Sequence, residues 1–407
     1  MSLIVRSNPN SRRDLLSSMQ TDQAIHVYVR LVFLRIGEID TLNEKYQAHA
    51  SIESRWVVTI DRFSSIEQDQ LLSGKSVALE KYAETNWHPQ LYIENSLGDL
   101  KEQIKYTAKL NRIEKEVYIC EHRIIKGLFW EKLELYHFPS DVQDLSISIS
   151  SMFFNDKVLL FADPYCLSGV NREAFVDQQE WSLYEHVNTE QRFIRDFLFR
   201  TVDDESDEMI NGKEDRKRPV LTVTCHAARQ SSYFFWNGYF LIFMITFVSF
   251  CTFGMPMQFS INRLQVSCTL LLTSVTFRWT VNRSLPTVSY LTSLDKYGIL
   301  CMLNLVGHSI WHGIISVITW VRTADYRVPG ELWIANVDHV AFYSFIGIFI
   351  TMHVIMIIWF VCVPLRYRKQ MKHNDVRYRA RVLEMANNMD SRGFLSSSNS
   401  HVTMSTF

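Results

Sequence analysis

Apolar positions fall in two patterns along the chain: unbroken stretches after Tyr233, and alternation with polar residues before it. Four stretches are long enough to cross a ~30 Å hydrocarbon core, which takes about 20 helical residues. They are Tyr233–Phe253, the more polar Ser260–Val281, Gly298–Val321 and Val340–Val363. A water-soluble fold would need core helices apolar on every side, packed beside a polar N-terminal half. The pattern therefore predicts a multi-pass membrane domain.

Before Tyr233 the period is two. Val27, Val29, Leu31 and Phe33 form one alternating row; Leu145, Ile147 and Ile149 alternate with serines, and Leu221, Val223 and Cys225 with threonines. Half-buried strands read this way, and many short ones divided by turn residues predict a β-sandwich. Residues 64–82 add a short helix, and Asp203 to Pro219 is a charged loop between strands. The chain divides into an N-terminal tail (1–23), a β-domain (24–229), a helical membrane domain (230–365) and a C-terminal tail (366–407), basic and then Ser-rich.

Charge sharpens this division. The net charge of −1 gives no reason to expect nucleic acid as a partner, yet no Asp or Glu occurs between Asp215 and Asp295. Seven cysteines show no framework spacing and no C-x-x-C, so no disulfide or zinc site is expected. The first twenty residues lack an apolar stretch and do not read as a signal peptide. Arg366, Arg368, Lys369, Lys372, Arg377, Arg379 and Arg381 follow the last stretch, and the positive-inside rule would put them in the cytoplasm.

The second stretch holds the most specific chemistry. Gln265, Thr269, Leu272, Thr276, Trp279 and Arg283 recur at spacings of four and three, one helix face. A polar stripe in a membrane helix must face water or protein, because lipid cannot satisfy it. Repeated around an axis, such a helix lines a water path, and Leu272 becomes an apolar constriction that gates by dewetting. Packing against other helices through Thr and Gln hydrogen bonds is the alternative.

The segment FSINRLQVSCTLLLTSVTFRWTVNRSLPTVSYLTSLDKY resembles the second membrane helix and following loop of pentameric ligand-gated ion channels, the Cys-loop receptor superfamily. The likeness is strongest to bacterial members without the loop cysteines. It covers almost the whole chain: IGEIDTLNEKY resembles the loop between the first two strands, Trp56 the Trp of the second strand, and Trp87-His88-Pro89 through Asn95 a W-x-P…N binding-loop element. Phe138-Pro139-Ser140-Asp141-Val142-Gln143 is similar to the F-P-x-D-x-Q signature loop. Departures are the cysteine positions, here Glu131 and Leu145, the binding-loop Trp, here Met152, and a loop aromatic that aligns near Glu94.

The resemblance implies an immunoglobulin-like β-sandwich, a four-helix transmembrane bundle and a homo- or hetero-pentamer in membrane lipid, in the plasma membrane with the N-terminal domain outside. It implies a small-molecule agonist bound between subunits, a permeant inorganic ion, and no cofactor. Agonists in this family are often amines held on aromatic faces. Candidates are Glu94, Phe153, Phe154, Phe197 and Phe199 on one side and Trp56 on the other. Glu44, Phe138, Pro139, Asp141, Arg229 and Pro286 are the implied coupling residues, with Asp141 and Glu44 as ion partners of Arg229. Selectivity maps to Asn262 and Arg263: cation channels of the family carry Glu where Asn262 stands. With Arg263, Arg278 and Arg283 and no acid on the helix, anions are slightly favoured, although the bacterial members are cation-selective.

Two other classes compete. His308 and His312 lie on one helix face with Asn304, as in membrane metalloenzymes, but such enzymes need several His boxes with acids. Hydrogen bonds to neighbouring helices are the simpler role. A non-conducting auxiliary subunit is the other alternative, and the polar stripe speaks against it.

Overall fold

The computed structural model describes residues 24–111, 116–195, 217–283, 288–322 and 332–391. The alternating rows become strands of two sheets. One sheet has the order β3-β5-β6-β2-β1-β8, with β9 also on β1; the other has β10-β11-β7-β4. β1 (Ile25–Asp40), β2 (Lys45–Val58), β5 (Ser96–Asn111) and β6 (Glu116–Trp130) are the long strands of the first, completed by β3 (Val77–Leu79), β8 (Val158–Ala162) and β9 (Gly169–Val170). β4 (Leu91–Ile93), β7 (Val142–Ser151), β10 (Trp181–Arg195) and β11 (Lys217–Arg229) make the second.

The core lies between the sheets. Val27, Val29, Leu31 and Phe33 face Leu145, Ile147, Ile149, Leu221, Val223 and Cys225 in one buried cluster. A pleated strand sends alternate side chains to one face, so the period-two rows fill this core. Excluding this much apolar surface from water is the main force holding the sheets together.

α1 (Ser65–Leu72) is shorter than the 64–82 helix expected from the sequence. It starts at a capping box, with Ser64 N–H donating to Glu67 Oε2 at 2.9 Å. It stops at Ser73-Gly74, where Gly74 has φ +83°, a conformation glycine adopts without cost. Most of the charged 203–219 segment lies outside the described residues; Lys217–Pro219 already belong to β11.

After Arg229 the chain is helical: α2 (Ser232–Gly254), α3 (Ser260–Asn282), α4 (Ser293–Arg322) and α5 (Leu332–Phe360). Three helices are long and apolar enough to cross a membrane: Ser232–Gly254, Ser293–Val321, and the run Trp333–Asn387 that begins in α5. α3, at 23 residues, is long enough but too polar to count among them. α5 starts eight residues before the expected Val340, so the segment between α4 and α5 is shorter than read from the sequence. The helix also continues past Pro364 through a π-turn (Val361–Leu365) into α6 (Arg366–Ser391). α6 packs on β10, so the basic tail lies beside the β-domain, and the Ser-rich end from 392 lies outside the described residues.

Candidate functional site: the pore-like helix and the domain junction

On α3, all six stripe residues, Gln265, Thr269, Leu272, Thr276, Trp279 and Arg283, are exposed in the single chain. The opposite face is built from small side chains: Ser260, Ser267 and Ser274 are buried against the other helices. Small residues let helix backbones approach closely, which explains why this face turns inward. Along the exposed side, the hydroxyls of Thr269, Thr273, Thr276 and Thr280 donate to the carbonyls of Gln265, Thr269, Leu272 and Thr276 at 2.8–3.0 Å. The Arg283 guanidinium sits over the Trp279 ring, 3.8 Å from its centroid.

Arg263 corrects the selectivity assignment. It is 2% exposed and turned into the bundle, where it meets Asp338 Oδ2 of α5 at 2.8 Å and donates to the carbonyls of Met255 and Phe253. Trp311 Nε1–H binds the other Asp338 oxygen at 3.0 Å. A buried cation must be paired, so the side chain goes to its carboxylate rather than to the stripe. Arg278 is likewise turned to Asp295, at 3.4 Å. Only Asn262 of the selectivity pair is exposed.

At the junction of the β-domain and the helices, Arg229 ends β11 and is paired with Asp141, its Nε 3.0 Å from Oδ1. Both side chains are almost fully buried. The guanidinium also lies over Trp181 and Phe138, 4.2 and 5.2 Å from their centroids. Asp141 Oδ2 accepts a further bond from Gln143 Nε2 at 2.6 Å, and the Gln143 amide clasps the Glu134 backbone through both its atoms. The D-x-Q of the signature loop thus closes the loop on itself. Glu44 is not a partner of Arg229 among the described contacts. It occupies a positive-φ position (50°) in the β1–β2 turn, and Trp181 and Phe138 cover the cation instead.

Phe138, next to a cis Pro139, is fully buried against Leu135, Phe234 and Leu294, and its ring meets Phe234 edge-on at 4.7 Å. Tyr290, in the loop after α3, stacks on Tyr136 at 3.7 Å and accepts the Leu135 N–H at 2.8 Å. Ser293 Oγ donates to the Tyr136 carbonyl. The signature loop therefore holds the α4 end of the α3–α4 connection through Tyr290 and Ser293; Pro286 lies outside the described residues. Tyr290 was not singled out from sequence, although it stands in the matching loop motif.

Glu131 and Leu145 are the residues that the resemblance sets at the family's two cysteine positions. Leu145 is a core residue, and the Glu131 carboxylate instead binds its neighbour Ser146 through both backbone N–H and hydroxyl. Burial pushes the Glu131 carboxyl above the usual range, with the Ser146 bonds opposing it. All seven cysteines are free.

The candidate ligand side also departs from expectation. Trp56 is 0% exposed, in the core against Trp87 and Tyr106, so it offers no surface to a ligand. Its place in the β2 alternation, in line with Ile52 and Ser54, turns it inward. Trp56→Ala should cost about 3–5 kcal/mol of folding stability, whereas Trp56→Phe should leave agonist potency unchanged; denaturation and dose–response curves check the two. Glu94 is paired with Arg192 at 2.9 Å. Phe153 stacks on Trp87 beneath Lys157, and Phe154 lies under Arg218, with cation-to-centroid distances of 5.9 and 5.3 Å. The two rings expected to hold an amine thus already carry cations. Phe197 and Phe199 lie outside the described residues.

His308 and His312 are buried in the helical domain and bonded to Ser249 Oγ and Thr252 Oγ1 of α2, each at 2.8 Å. They serve as the helix-to-helix bonds expected of them, and no group of three or more metal-binding side chains gathers among the described residues.

No family model matches the chain. Among known proteins it is similar to a "Gamma-aminobutyric acid receptor subunit beta-like" of Drosophila melanogaster, 19% identical over 313 residues (75% of this chain, 59% of the relative). It is 22% identical over 292 residues to "Gamma-aminobutyric acid receptor subunit gamma-3" of Mus musculus (72% and 57%). It is also 20% identical over 314 residues to "pH-sensitive chloride channel 2" of Anopheles gambiae (76% and 48%). The chain spans about half to three-fifths of the length of these curated relatives. The names of these relatives are those of receptor subunits and of a chloride channel, not of enzymes, and that is the kind of protein the chain is similar to.

Proposed function

We propose that this chain is one subunit of a pentameric ligand-gated ion channel of the branch without the loop disulfide. In this reading four helices cross the membrane, the β-domain lies outside the plasma membrane, and α3 lines the pore of a homo- or hetero-pentamer. One observation carries it. α3 is too polar for lipid, and its exposed Gln265–Arg283 stripe is left uncovered by its own chain beside three apolar helices. Neighbouring copies and a water column are what such a face requires.

The agonist is a small molecule bound between β-domains that carries an anionic group. Glu94 is already neutralised by Arg192, and Lys157 and Arg218 cover the aromatic rings, so the region favours a carboxylate over a bare ammonium. Relatives named for gamma-aminobutyric acid, itself a carboxylate, are consistent with that. The permeant ion is an anion: no acid lies on α3, Arg283 remains at the exposed face, and one relative is named a chloride channel.

Voltage-clamp recording of the expressed chain, with amino-acid agonists and chloride replaced by gluconate, tests the reading. An agonist-evoked current whose reversal potential follows chloride is the expected result. A reversal that follows sodium overturns the anion assignment, and a surface-expressed chain that never conducts overturns the channel.

A further inference from the structure

α6 lies against the β-domain along a single face. The buried and half-buried positions of α6 include Arg368, Met371, Asp375 and Tyr378, spaced three and four apart, so one helix face lies on the sheet. Met371 packs on Tyr184 and Ala228, and Tyr378 Oη donates to the Ser168 carbonyl at 2.6 Å.

At the centre of this contact β10 departs from its ladder. The pairing with β11 shifts register between Leu183 and Val187, which leaves residues between them without cross-strand partners. Unpaired backbone N–H groups must find an acceptor. Asp375 supplies it: one carboxylate oxygen accepts Glu185 N–H and His186 N–H, both at 3.0 Å, and His186 Nδ1 at 2.5 Å. The His186 ring stacks on His226, centroids 4.7 Å apart. His226 Nδ1 in turn meets Asp144 at 2.6 Å, and its Nε2 meets the Asn188 amide. His186 Nε2 is buried without a partner.

We propose that His186, clamped by Asp375 and stacked on the His226–Asp144 pair, is a proton-binding site that fastens α6 to the β-domain when neutral and releases it when charged. With Nδ1–H donated to Asp375, a neutral ring leaves only a bare lone pair at the buried Nε2. A second proton would make Nε2–H an unsatisfied buried donor, which is costlier. It would also place positive charge against the His226 ring. Around the site stand Tyr184 and Glu185 on β10, His226 on β11, Asp144 on β7, and Tyr367, Arg368, Asp375 and Arg379 on α6. Glu185 is engaged by Arg172 and Arg379, so its charge is already met.

Burial holds the docked His186 below the ordinary histidine range, and the Asp375 carboxylate opposes without overcoming it. Release returns the imidazole to water and raises its value towards the ordinary ~6.5. Docking is therefore at full strength above that value and weakens as pH falls from there towards the lowered docked value. This holds whether or not the chain conducts.

Hydrogen–deuterium exchange on the full-length protein at about pH 7.5 and about pH 5, corrected for intrinsic exchange, spans this window. The α6 amides should exchange several-fold faster at the lower pH, up to about tenfold per pKa unit of separation. His186→Asn, which keeps a donor for Asp375 without a titratable ring, should abolish that difference. Asp375→Asn, a change on the helix alone, should give fast α6 exchange already at the higher pH. Equal α6 protection at both pH values in the unmodified protein would overturn the proposal. So would a pH dependence that persists in His186→Asn, or an α6 that stays protected in Asp375→Asn.

Discussion

Asp141→Asn is expected to be among the most damaging single substitutions in the chain. Arg229 is buried at the end of β11, and its charge is met there by the Asp141 carboxylate at 3.0 Å. Removing one partner of a buried pair typically costs about 3–5 kcal/mol, because the remaining charge is stranded. Asparagine keeps the shape and the bond from Gln143 but supplies no charge. Trp181 and Phe138 cap the guanidinium, and their ring faces recover only part of the loss, about 1–2 kcal/mol at a desolvated site.

The damage should also reach function, since the loop that holds Asp141 holds Phe138, Tyr136 and the contacts to Tyr290 and Ser293. Loosening it separates the β-domain from the α3–α4 connection. Thermal unfolding of the purified protein, followed by tryptophan fluorescence, should shift down by several degrees. Agonist-evoked current per surface-expressed channel should fall. The Asp141→Asn, Arg229→Gln double variant should recover part of the stability, because no unpaired charge remains. An Asp141→Asn protein that melts with the unmodified one would refute the pairing as a stabilising contact.

How much of this was legible beforehand depended on whether a contact leaves a period in the sequence. The rows at Val27–Phe33, Leu145–Ile149 and Leu221–Cys225 were readable because core-facing side chains alternate, and the helical stretches because lipid admits long apolar runs. Direction along a strand was harder. Trp56 is flanked by Arg55 and Val57, and only the longer row of Tyr46, Ala48, Ala50 and Ile52 that runs into it says which of the three faces inward. Partners far along the chain were not readable at all: Arg263 finds Asp338 75 residues later, and that pairing takes it away from the stripe. The docking face of α6 is hard to read because, Met371 apart, it is made of Arg368, Asp375 and Tyr378 rather than apolar residues. Its heptad spacing is present, but a hydrophobicity pattern does not register contacts made by carboxylates and hydroxyls.

Leu272→Thr is expected to have the largest effect on gating. Leu272 is the one aliphatic side chain among the six stripe positions and is 66% exposed in the single chain. In a ring of such helices its copies form an apolar collar, and a narrow apolar collar excludes water when closed. Threonine is one side-chain heavy atom smaller than leucine and already suits this helix, since Thr269, Thr273, Thr276 and Thr280 all donate to their i−4 carbonyls without breaking it. A threonine hydroxyl at 272 would use its hydrogen in the same way and present an oxygen lone pair to the water path. The closed collar would then stay wet, and the barrier to opening would fall in every subunit. A net shift of about 1.4 kcal/mol is tenfold in an equilibrium, and several copies act together, so half-activating agonist concentrations should drop at least about tenfold, with current in the absence of agonist. Leu272→Ile, which keeps the collar apolar, should gate as the unmodified channel does. If Leu272→Thr channels reach the surface and open at unchanged agonist concentrations, the constriction is elsewhere on α3, and the bulky Trp279 with Arg283 stacked over it at 3.8 Å becomes the next place to look.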